Sequence, residues 1–161
     1  RRAEEIVHVR GVRPRNVVLP HLLEDFDGNT REETLYFFIT KTELTEMELK
    51  TPGGFSKKLE RISKASNGAE IMDTFKEIIL TAYGEKSPDG KHLMKSAEIR
   101  EKFKCSPAYD ELFTELVLDD KKMSEFVNAL LPKDMDSFVE KLNKKAETAN
   151  GTMLNVVEGG N

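Results

Sequence analysis

The sequence predicts a mainly helical α+β fold: an N-terminal β-hairpin followed by a bundle of about five to six short helices. Three observations predict it. Beyond residue 40, apolar residues recur at three-and-four spacing, the period of a helix with one buried face. Helix punctuation recurs along the same stretch, at Ser96, Ser106-Pro107, Asp119-Asp120 and Pro132. Before residue 40 the pattern turns to branched and aromatic residues around Asp27-Gly28, a pair that favours hairpins because both positions of a two-residue turn need positive φ.

A chain of 161 residues, 38% hydrophobic and 34% charged, can close one core but not two full ones. The expected organisation is a basic arm or edge strand over residues 1–20, a single helical domain with its hairpin over 21–150, and a flexible tail over 151–161.

Taken in order, residues 1–15 show no clean period and carry Arg1, Arg2, Arg10, Arg13 and Arg15, a locally basic stretch. Residues 17–23 are apolar but contain Pro20, so a strand there belongs at a sheet edge, where a missing amide hydrogen costs little. Residues 34–39, Thr-Leu-Tyr-Phe-Phe-Ile, read as a strand with both faces at least partly covered. The hairpin is placed over residues 22–39. Thr40 and Glu43 have capping-box spacing at the start of a short helix, which Thr51-Pro52-Gly53-Gly54 breaks.

Phe55, Leu59, Ile62 and Ala65 share one face of a second helix, with Asn67-Gly68 read as its stop. The widest stripe is Ile71, Met72, Phe75, Ile78, Ile79, Ala82 and Tyr83, the candidate core helix, with Gly84 read as its left-handed cap. Ser87-Pro88-Asp89-Gly90 has turn composition, with Glu85-Lys86 and His92-Leu93-Met94 able to flank it as a small hairpin. Ser96 caps a helix to about Lys104. The next carries Tyr109, Leu112, Phe113, Leu116 and Val117, and the one after it Met123, Phe126, Val127, Leu130 and Leu131. The last bears Met135, Phe138, Val139, Leu142 and Ala146, with its end read at Asn150-Gly151.

Reactive chemistry finds little support. Cys105 is the only cysteine, which excludes an intrachain disulfide and a thiolate cluster, and it reads as a buried or half-buried inert thiol. The three histidines, His8, His21 and His92, fall in no metal-ligand spacing. Glu43, Glu46 and Glu48 crowd one short helix, and the plain reading is that they face solvent and favour the helix dipole. Gly53-Gly54 and Gly159-Gly160 lack the Lys and Ser or Thr of a phosphate loop. No catalytic residue, metal ligand or cofactor is therefore expected, and the chain reads as a non-enzymatic protein. A net charge of −4 argues against a general phosphate-binding surface; a helix-turn-helix over 107–131 would bring Asp119 and Asp120 against the backbone it had to bind. No apolar run approaches the length of a membrane span, and the start lacks a signal-peptide core.

Four segments, in this order, resemble the tail assembly chaperones of long-tailed bacteriophages: DFDGNTREETLYFFITKTELTEMEL from residue 25, ILTAYGEKSPDGKHLMKS from 79, AYDELFTEL from 108 and FVNALLPKDM from 126. The resemblance implies a protein that binds the tape measure protein, keeps its apolar helices from aggregating and hands it to the major tail protein as the tube forms. It also implies work in the host cell cytoplasm during infection, absence from the mature virion, and relatives with a longer frameshifted form. Self-association is compatible with such a role. Met153, Leu154, Val156 and Val157, an apolar run with no evident place in the core, are the expected contacts with a partner. The competing readings are a structural tail or head-tail connector protein and a small nucleic-acid-binding phage regulator.

Overall fold

A computed structural model describes residues 16–64 and 67–158. In chain order the elements are β1 (Asn16–Glu24), β2 (Thr30–Phe38), α1 (Lys41–Lys50), α2 (Phe55–Lys64), α3 (Gly68–Ala82) and β3 (Tyr83–Lys86). They continue with β4 (Leu93–Met94), α4 (Ala97–Lys104), α5 (Pro107–Leu118), α6 (Asp120–Leu130) and α7 (Met135–Glu158). The fold is mainly helical α+β, and the described residues hold seven helices instead of five to six. The elements divide into two compact units, one within Arg1–Thr40 and Ser66–Pro132, the other within Lys41–Ala65 and Lys133–Asn161.

The first unit is an antiparallel sheet in the order β1-β2-β3-β4, covered by α3 to α6. Strand β1 lies at an edge, as Pro20 requires. Its register sets Val17 opposite Phe37 and Leu19 opposite Leu35. These four side chains are buried, whereas Pro20 and Leu22 are exposed and Tyr36 and Phe38 are half-covered. The period of two thus turns one face of the hairpin toward the helices. Helices α5 and α6 lie against β1, α3 against β2 and α4 against β3.

At the centre stands Phe37. Its ring meets Tyr83, Phe103 and Phe126 edge-on, with centroids 5.7, 6.0 and 5.3 Å away. Phe103 stacks on Tyr83 and meets Tyr109, while Phe75 touches Phe113 and Phe126. Edge-to-face pairs add about 0.5–1.5 kcal/mol each to the burial of the rings, so one cluster ties β2 and β3 to four helices.

Several expected boundaries hold because their caps form. Ser96 accepts from the amide of Ile99 at 3.1 Å and Ser106 from that of Tyr109 at 3.2 Å, with Pro107 at the first helical position. Asp119 accepts from the amides of Lys121 and Lys122. The small hairpin also forms: Glu85 pairs with Met94 and Lys86 with Leu93 around the Ser87–Gly90 turn.

Four expectations about turns and element ends are corrected. Asn67 starts α3 instead of stopping α2: its side chain accepts from the amide of Glu70, and α2 has already ended at Lys64. Gly84 is not a left-handed cap but a residue of β3. It must be glycine because a Cβ there would come within 2.6 Å of the Leu93 side chain. The hairpin loop holds five residues, 25–29, since Glu24 pairs with Thr30. Finally, α7 passes through Asn150-Gly151 to Glu158, so the segment read as a tail is helical to that point. One interior glycine costs a helix only about 1 kcal/mol, and the apolar spacing of Leu142, Ala146, Met153 and Val157 continues across it.

With no glycine cap, the carboxyl end of α3 runs straight into β3, and its open carbonyls need other donors. Lys95 donates to the carbonyl of Thr81 at 3.0 Å and also to that of Phe38 at the end of β2; Arg100 Nε donates to the carbonyl of Leu80 at 3.0 Å. Two cations thus sit at the negative end of the helix dipole.

The second unit is α1, α2 and α7, with α2 packed on both others. Among its described residues, Leu44, Met47, Phe55, Ile62 and Val139 are the buried apolar ones. Glu48 is buried with them, correcting the solvent-facing reading: its carboxylate accepts from the amide of Ser56 at 2.9 Å and from the Ser56 hydroxyl at 3.3 Å. It therefore caps α2 from α1. Gly54, at φ 91°, lets the turn pass, because any Cβ there would collide with that carboxylate.

Candidate functional site

The groups that could carry chemistry are dispersed. Cys105 is exposed at the end of α4, not buried, with its Sγ 3.8 Å from Glu101 Oε1. His92 is exposed beside the small hairpin, His21 lies in β1, and His8 falls outside the described residues. Glu46 pairs with Lys50 one turn on, and Glu48 is consumed by the α2 cap. Among the described residues no three His, Cys, Asp or Glu side chains converge in a way that could hold a metal ion. The phenol of Tyr83 is pushed up to about 12 by burial first and then by the nearby Glu85 and Glu33 carboxylates. It serves as a packed ring.

The conspicuous surface is the tip of the first hairpin. Asp25 closes the loop: its Oδ1 accepts from the amides of Asp27 at 3.1 Å and Asn29 at 2.9 Å, and its Oδ2 pairs with Arg31 Nε at 2.9 Å. The Asn29 amide does most to hold this carboxyl below its usual range, followed by the Asp27 amide and then Arg31, with partial burial opposing. Backbone bonds from Asp25 to the Asn29 carbonyl and from Gly28 to the Asp25 carbonyl complete the ring, at 2.8 and 2.9 Å. Gly28 supplies the positive φ, 84°. Within this ordered loop Phe26 is 100% exposed, and Leu22, on the adjoining strand, is 68% exposed. Asp-Gly signalled a turn in the sequence, but nothing there showed that Phe26 would stand outside the core.

Met153, Leu154, Val156 and Val157 lie on the last turns of α7. Their side chains fall outside the described residues. The Arg-rich stretch of residues 1–15 does likewise.

Residues 22–158 match the phage tail assembly chaperone family, and the chain belongs to it. The family implies protein partners in tail assembly and a role in the infected host cell. No curated protein and no solved structure matches the chain. Among the described residues no helix is long and apolar enough to cross a membrane.

Proposed function

We propose that this tail assembly chaperone binds the tape measure protein, shields its apolar helices until assembly, and delivers it to the major tail protein as the tube polymerises. The observation that carries the reading is the family match over residues 22–158, nearly the whole described chain. A helical protein of this kind can offer apolar faces to an amphipathic helix of a client, and weak contacts repeated along a long client bind by avidity while each unit stays releasable. The chain works without catalysis, in the host cytoplasm, and leaves before the virion is complete.

Met153, Leu154, Val156 and Val157 are proposed to contact a neighbouring subunit or the client. Co-expression with the tape measure protein encoded beside it is the direct test: the client should be soluble only when this chain is present. Deleting residues 152–161 should weaken their co-purification. Unchanged binding removes that segment from the interface, and detection of the chain in purified particles by mass spectrometry refutes the chaperone's departure.

A further inference from the structure

We propose that residues 7–10 of this same chain, which precede its described part, close the open side of β1 over Asn16–Leu19 as a short antiparallel strand. Strand β1 ends the described sheet, so one of its two sides carries backbone groups that no described strand pairs. Which residues these are follows from the first hairpin. The amide of Asp25 donates to the carbonyl of Asn29 at 2.8 Å, and the register that sets Glu24 opposite Thr30 makes this the next rung of the same ladder. Bonded rungs alternate with open ones in an antiparallel pair. Val17, Leu19 and Leu23 therefore bond to β2, while the backbone groups of Asn16, Val18, Leu22 and Glu24 point away from it. Pro20 falls in that outward set, where its missing donor costs the β2 ladder nothing. Outward groups on such an edge are a template for another strand.

The sequence just before β1 supplies the occupant. Five residues separate Arg10 from Asn16, the same loop length as at 25–29, with Gly11 and Pro14 among them. A turn of that length sets Val9 opposite Val17, His8 opposite Val18 and Val7 opposite Leu19. Side chains of a cross-strand pair share a face, so Val7 and Val9 extend the buried face of Val17 and Leu19, and His8 stands on the outer face with the half-covered Val18. A slip of one residue either way turns His8 inward, and a slip of two sets Glu5 opposite Leu19 or Gly11 opposite Val17. Pro20, with no N–H to offer, ends the pairing, and from there β1 remains an edge. Beyond that point the chain carries Arg1 and Arg2 toward the end of the hairpin where Glu24, Asp27 and Glu32 are exposed, a match of opposite charge. Tethering favours this segment over a second copy, because a strand held by a short linker acts at an effective concentration on the order of millimolar.

The test uses the full chain alone, so it stands apart from the client reading. In amide exchange followed by NMR, the outward amide of Val18 should be protected while those of Leu22 and Glu24 exchange freely. Val7→Lys with Val9→Lys should speed exchange at Val18 by about tenfold or more. The amides of Leu19 and Leu23, bonded to β2, should keep their protection in that variant, which separates a lost strand from lost folding. In a Cys105→Ser background, His8→Cys with Val18→Cys should form a disulfide within one chain on mild oxidation, since paired Cβ atoms stand about 4.5–5.5 Å apart; His8→Cys with Leu22→Cys should form none. A Val18 amide that exchanges as fast as that of Leu22 overturns the proposal. So does a disulfide that forms equally at positions 18 and 22, or one that joins isotopically labelled to unlabelled chains, which would give this side of the sheet to a second copy.

Discussion

The two units solve the problem of closure by different means. The first gathers Phe37, Phe75, Tyr83, Phe103, Tyr109, Phe113 and Phe126 into one network of rings. The second buries a few aliphatic side chains and Phe55, and completes its core with a carboxylate, Glu48, satisfied by Ser56. A ring network spreads its energy over many contacts and resists local opening. A buried carboxylate depends on one set of donors and loses its value as soon as they move. The contrast teaches that the helical unit should open first, in the sense that local stability follows the density of buried apolar contacts.

The largest effect should come from the centre of the ring network. Phe37→Ala removes a fully buried ring shared by β2, β3, α4 and α6, and should lower unfolding stability by about 3–5 kcal/mol in urea titration. A loss below ~1 kcal/mol would show that the rings do not act together. Next, Glu48→Ala leaves the part-buried Ser56 amide, in the first turn of α2, without its cap and should cost about 1 kcal/mol. Hydrogen exchange should speed in α1 and α2 while α3 to α6 keep their protection; equal loosening of both would mean that they unfold as one block.

A smaller gain is expected at Thr74, whose buried hydroxyl on α3 has no hydrogen-bond partner among the described residues. Thr74→Val keeps the shape, removes the orphaned group and should stabilise by about 1 kcal/mol; destabilisation would reveal a partner such as bound water. The smallest effect lies at high pH. Burial and two carboxylates raise Tyr83 from 10.0 to about 12, so folding favours the protonated phenol. That contribution is fully present below pH 10 and is lost as pH rises through about 12. Absorbance titration should show a late phenolate component that Tyr83→Phe removes.

Much of the fold was legible because local signals there have a single meaning. A serine followed by a proline and an apolar period starts a helix at Ser106, and Pro20 admits only an edge strand. Elsewhere one residue type serves opposite ends. Asn-Gly both stops and starts helices, and only the backbone bond from Glu70 shows that Asn67 starts one. Gly84 was read as a left-handed cap, and what requires glycine there is instead the Leu93 side chain from the next strand, which sequence spacing does not reveal. Glu48 resembles its neighbours Glu43 and Glu46 until the turn at Gly53-Gly54 brings Ser56 beneath it. The exposure of Phe26 was hidden for the same reason: Asp27-Gly28 signals a turn without saying where its aromatic neighbour stands.

The chain order of the second unit bears on synthesis. Its helices α1 and α2 emerge before all of α3 to α6, whereas α7, which packs on α2, is made last. Translation proceeds at roughly 5–20 residues per second, and domains form as units once complete. The elements of the first unit are thus all made before the helix that α2 packs on, and α1 and α2 keep a greasy side uncovered until α7 emerges. Nascent polypeptide released early at Pro132 would fold its sheet yet leave that pair without its third member.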